Sequence, residues 1–123
     1  MVGIGPFISH GSTPLKDAAS GDVQLALKVM ALTRILLKDI NIPATTAVET
    51  LLPNGRMIAL RSGANVVMPN IGLSTYKKLF DIYPGKVCVN EDFSKCRNCI
   101  ESQILAIGRT VSRTKGSHKK STR

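Results

Sequence analysis

Apolar positions along the chain fall into two rhythms. Short apolar or β-branched runs, GIGPFIS, NIPATTA and ANVVMPN, are punctuated by Gly, Pro and Asn and have the length of buried strands. Between the first two lies DVQLALKVMALTRILLKD. Its clearly polar side chains, Gln24, Lys28, Arg34 and Lys38, share one arc at 100° per residue, which predicts a helix wetted along one stripe and packed on the rest. Ser20 offers an N-cap, and Asp22 places an acid in the first turn. PNGRMIALRSG reads as a turn into a short helix that ends at Gly63. STYKKLFDIYPG reads as a third helix with Ser74 as N-cap and Pro84-Gly85 as stop, and a final helix is expected near CIESQILAIGR.

The order is β-α-β-α-β-α, then a cysteine loop and a helix. Continuous apolar strands alternating with helices argue for an α/β fold in which helices cover a parallel sheet. The strands end in Ser9 and His10, in Thr45 and Thr46, and in Met68 to Asn70. Sites form at such ends, although turn and cap chemistry accounts for the same residue types. A complete (βα)8 barrel needs about 250 residues. Three β/α units in 123 residues therefore make either a small open sheet or half of a barrel with two unpaired edges.

Charge changes the picture less than its total suggests. Of the net +9, six bases lie in the tail Arg109–Arg123, which has no acid, so the body is near-neutral. The tail, residues 110–123, is expected to be solvated and disordered, and nucleic-acid binding is not expected of it. Two Tyr, three Phe and no Trp make no stacking platform for single strands. No run reaches the roughly 18 apolar residues of a membrane span. The apolar start MVGIGPFISH carries no base and does not resemble a signal peptide. A cytoplasmic, reducing location is the expectation, with the odd cysteine count pointing to thiol or metal chemistry.

All three cysteines, Cys88, Cys96 and Cys99, lie in KVCVNEDFSKCRNCIESQ with the spacing C-x7-C-x2-C. The C-x2-C pair suits one metal across a tight knuckle, with Cys88 returning through the loop. Three thiolates fall one short of a closed zinc site. Iron–sulfur clusters also usually take four cysteines. On spacing alone, zinc, an iron–sulfur cluster and free thiols all remain open. No phosphate loop, zinc-protease or serine-hydrolase motif is present, and His10 and His118 stand alone.

GIGPFISHGSTPL, ALTRILLKDINIPATTAVETLLPNGRMIALRSGANVVMPN, YKKLFDIYPGK and CVNEDFSKCRNCIESQILAIGR together resemble one family over roughly residues 1–109. It is the radical S-adenosylmethionine maturases of FeFe hydrogenase (HydE-type), within the biotin synthase-like group, in the biotin and thiamin synthesis-associated region. The resemblance implies a (βα)8 barrel of which residues 1–84 are the last three units, 85–109 a cluster segment with a helix, and 110–123 the tail. It implies that Cys88, Cys96 and Cys99 hold an auxiliary iron–sulfur cluster, 2Fe–2S or 4Fe–4S. It also implies that Thr45, Thr46, Met68 and Tyr83 line the cavity for cofactor and substrate. Phe80 stands where the family often has tyrosine, and SHGS departs from the usual PHPD.

The family's radical chemistry rests on C-x3-C-x2-C, and no cysteine precedes Cys88 here. S-adenosylmethionine is therefore expected only in a complete barrel, with an N-terminal half-barrel chain and other hydrogenase maturation proteins as partners. The expectation is a maturase fragment that is not competent alone. The alternative is a small metal-binding interaction module whose basic tail contacts nucleic acid.

Overall fold

The computed structural model describes residues 1–70, 72–80, 82–87 and 93–117, with the side chains of 74, 78 and 93–97 outside that description. Among the described residues, five helices and a 3₁₀ turn follow in order: α1 (Val23–Leu36), α2 (Thr46–Leu51), α3 (Gly55–Arg61), α4 (Ser74–Lys77), the 3₁₀ turn Lys78–Phe80, and α5 (Phe93–Ala106).

The three strand-like runs lie side by side as extended chain, and among the described residues none forms a named strand. The second and third are joined by a single parallel bridge, Pro43 to Val66. Its two bonds run from Val66 N–H to the Ile42 carbonyl (3.2 Å) and from Ala44 N–H to the Val66 carbonyl (2.8 Å). The first run touches the second through Val2 N–H to the Asn41 carbonyl at 2.9 Å. In a parallel ladder the next bond would come from the nitrogen of residue 43 to the Val2 carbonyl. Proline has no N–H to give, so the ladder stops there.

Helix α1 starts one cap later than its sequence suggests. Asp22, not Ser20, is the N-cap, its carboxylate accepting from Gln24 N–H (2.7 Å) and Leu25 N–H (3.3 Å). Of its apolar residues, Ala26, Leu27 and Met30 are buried, whereas Leu25, Val29, Leu32, Ile35 and Leu36 are exposed. The expectation of a helix packed everywhere but one stripe is thereby corrected: one layer of extended chain covers one face of the helix.

The core gathers Leu27 and Met30 of α1 with Ile42, Ala44, Val48, Met57, Ala59, Leu60 and Ala64, and α5 adds Ile100 and Ile104. Arg34, on the stripe expected to be wet, ties α1 to the third run. Its Nε donates to the Gly63 carbonyl (2.9 Å), Nη2 to Asn65 Oδ1 (3.0 Å) and Nη1 to the Lys38 carbonyl (2.7 Å). Asn65 Oδ1 also accepts from Ile42 N–H at 2.8 Å. Gly63 closes α3 with φ +115°, and a Cβ there would stand 2.8 Å from the Arg34 Cβ, so both backbone and space require glycine.

Candidate functional site

Thr45 and Thr46 sit where the second extended run turns into α2, whose first two residues, Thr46 and Ala47, belong to the strand expected from the sequence. Thr45 is the α2 N-cap by backbone (ψ 150°), but its hydroxyl makes no cap bond. That Oγ1 is buried and has no hydrogen-bond partner. Gly5 is what leaves it room: a Cβ on residue 5 would lie 2.8 Å from Thr45 Oγ1. Thr46 Oγ1 shares a 2.5 Å hydrogen bond with the Tyr83 hydroxyl, in which either oxygen can donate. Tyr83 is itself buried. The structure thus sets Tyr83 against Thr46 and leaves the neighbouring Thr45 hydroxyl unanswered. Met68 is 55% exposed and takes no part in this hydroxyl pair.

A buried hydroxyl without a partner is uncommon, because desolvation costs on the order of 1–3 kcal/mol when no bond replaces water. The arrangement can donate to or accept from a small polar ligand. It holds no nucleophile–base pair.

The cysteines divide between described and undescribed residues. Cys88 lies outside the described residues, as does the Cys96 side chain. Cys96 and Cys99 both fall within α5. They stand three residues, about one helical turn, apart in the chain, in place of the expected knuckle. Cys99 is exposed and free, its Sγ accepting from Gln103 Nε2 at 3.5 Å. Among the described residues no three His, Cys, Asp or Glu side chains converge. Two cysteines one turn apart can supply two donors to zinc or to an iron–sulfur cluster, with further donors coming from outside the helix.

A separate cleft of about 940 Å³ is lined by residues including Asn41, Asn65, Val67, Ile104, Arg109 and Arg113. None of the four predicted cavity residues lines it. Its rim is made by the tail: Arg109 donates to the Ala64 carbonyl (2.9 Å), Asn41 Nδ2 to the Gly116 carbonyl (3.0 Å), and Arg113 faces Glu101 at 3.6 Å. The sequence reading missed this cleft. The signal available was Gly108, whose φ of +75° turns the chain after α5. No described helix is long and apolar enough to cross a membrane.

No family model matches the chain. It is, however, similar along nearly all its length to part of a hydrogenase maturase. The relative is the FeFe hydrogenase maturase subunit HydE of Thermotoga maritima, 53% identical over 120 residues, which are 98% of this chain and 34% of that protein. The chain thus spans about a third of the length of the curated relative it matches.

Proposed function

We propose that this chain is the C-terminal part of a radical S-adenosylmethionine maturase serving FeFe hydrogenase. The observation that carries this reading is the 53% identity to HydE over 98% of the chain. In this reading Cys88, Cys96 and Cys99 hold an auxiliary iron–sulfur cluster, and the placement of Cys96 and Cys99 one helical turn apart supports two of the three donors. Thr45, Thr46 and Tyr83 form part of the wall that meets a polar substrate or cofactor, with Met68 further along it. The orphaned Thr45 hydroxyl supports that assignment, since a ligand atom would satisfy it.

The fold proposed is the last three units of a (βα)8 barrel. The side-by-side placement of three extended runs, with α1 crossing between the first two, supports it. Reductive cleavage of S-adenosylmethionine is chemistry that a cluster on C-x3-C-x2-C supplies, and this chain's cysteines do not have that spacing. What this chain contributes is donors and cavity wall, and the activity belongs to its assembly with a half-barrel carrying that motif.

The test is complementation. Incubated anaerobically with iron, sulfide, dithionite and S-adenosylmethionine, the chain alone should release no 5′-deoxyadenosine. Mixed with a chain carrying the motif-bearing remainder of the relative, it should release it. Release by this chain alone, or a stable complex that remains inactive, would refute the reading.

A further inference from the structure

Residues 109–116 leave α5 and run back across the body of the chain. Gly108 turns the chain out of the helix at φ +75°. Next to it, Arg109 Nη1 donates to the Ala64 carbonyl (2.9 Å) at the start of the third extended run. Further along, the Gly116 carbonyl accepts from Asn41 Nδ2 (3.0 Å) at the start of the second. Between these two points Arg113 faces Glu101 of α5 at 3.6 Å. The segment thus bridges the N-terminal ends of two runs, the end opposite Thr45 and Thr46, and forms the outer wall of the cleft of about 940 Å³.

Asn41, which holds the far end of the segment, is itself anchored. Its Oδ1 accepts from Asn65 Nδ2 (3.0 Å), and its backbone carbonyl accepts from Val2 N–H (2.9 Å). Asn65 Oδ1 in turn accepts from Ile42 N–H (2.8 Å) and from Arg34 Nη2 (3.0 Å). A continuous chain of hydrogen bonds therefore runs from the Gly116 carbonyl through Asn41 and Asn65 to α1. With Oδ1 taken by Asn65, the Asn41 amide turns its nitrogen to the tail. Residues 109–116, by contrast, are all exposed. A segment held by a few exposed bonds, with little surface of its own buried, opens locally while the body stays folded.

We propose that residues 109–116 are a strap, hinged at Gly108 and latched on Asn41, that closes the cleft and opens it again without unfolding the core. Open, the strap uncovers the side of the cleft lined by Leu60, Val67 and Ile104, of which Leu60 and Ile104 are buried when it is closed. Closure is held by hydrogen bonds at the two ends of the strap and, between them, by an exposed ion pair that salt screens. This inference does not rest on the maturase reading.

The experiment is limited trypsin digestion of the full chain, with the rates of cleavage after Arg113 and Lys115 read by mass spectrometry. A synthetic peptide of residues 107–123 gives the rate for the unfastened segment. The strap should be cut roughly tenfold or more slowly than the peptide, since cleavage tracks the open population. Asn41→Asp keeps the acceptor that Asn65 uses and removes the donor to Gly116, so cleavage should rise about fivefold. Glu101→Gln should raise it about twofold at low salt and not at high salt. Cleavage after Arg56 and Arg61 in α3 should stay at the wild-type rate in both variants, which separates release of the strap from unfolding of the core. A wild type cut at the peptide's rate overturns the proposal, as does protection that survives Asn41→Asp. So does an equal rise in α3, because the segment would then open only with the core.

Discussion

Replacing Arg34 with Met removes a fork that holds three pieces of chain together. The guanidinium joins the end of α1, through the Lys38 carbonyl, to the start of the third extended run, through the Gly63 carbonyl and Asn65 Oδ1. The bond to Gly63 is partly buried and charge-assisted, a type that contributes roughly 1.5–3 kcal/mol. The bonds to Lys38 and Asn65 are exposed, and each adds about 0.5 kcal/mol. The loss of Arg34 should therefore cost about 2.5–4 kcal/mol, because methionine keeps the apolar stem but none of the donors. For a domain of this size, total stability is on the order of 6–18 kcal/mol, so the effect is large. The assay is urea unfolding followed by far-ultraviolet circular dichroism, comparing midpoints at constant slope. Arg34→Lys should recover less than half of the loss, since an ammonium cannot span the three acceptors. Lys28→Met, on the exposed face, serves as the control and should stay within about 0.5 kcal/mol of wild type. If Arg34→Met behaves like that control, the fork is not what docks α1.

Other expectations follow from single contacts. Thr46→Val and Tyr83→Phe each remove one half of the partly buried hydroxyl pair, and a double-mutant cycle of urea midpoints should show coupling of about 1 kcal/mol; additivity within 0.3 kcal/mol would deny the bond. Asp22→Ala should cost about 1 kcal/mol through loss of the α1 cap, while Ser20→Ala stays within about 0.5 kcal/mol. Equal effects of the two would return the cap to Ser20. Gly63→Ala should cost on the order of 1–3 kcal/mol, read in the same way, because of the +115° backbone angle and the 2.8 Å approach to Arg34 Cβ.

How much of this was legible in the chain depended on whether the cause was local. Helix α1 and helix α3 with its closing Gly63 follow from periodicity and from a glycine whose φ is positive. The cap moved to Asp22 because either residue type can cap, and only the backbone decides which carboxylate or hydroxyl reaches the first N–H groups. Helix α2 was hidden because Thr45 and Thr46 are β-branched and favour extended chain in isolation, while the turn at that point is imposed by packing of Val48 into the core. The C-x2-C pair reads as a loop from metal-site precedent, yet i and i+3 spacing serves a helix equally well, and α5 takes it. Arg34 shares an arc with Lys38 on a helical wheel, and no periodicity distinguishes a solvated cation from one that bonds backbone 29 residues away. The outward apolar stripe of α1 had the same origin: a helix apolar on all but one stripe predicts burial, but says nothing of whether its own chain supplies the cover. For the candidate site, the positions of Thr45, Thr46 and Tyr83 came from family resemblance. Their proximity and the unpartnered Thr45 hydroxyl became visible only in three dimensions.

The central claim is that the cysteines of this chain hold an iron–sulfur cluster as part of a maturase. Anaerobic reconstitution with iron and sulfide, followed by visible absorption and by paramagnetic resonance after dithionite reduction, tests it most directly. The account predicts a visible-range chromophore with bound iron and acid-labile sulfide in the wild type, and its loss in Cys99→Ser at unchanged helical content. A colourless protein whose three thiols all remain titratable, or one that takes up zinc stoichiometrically in place of iron and sulfide, would contradict it.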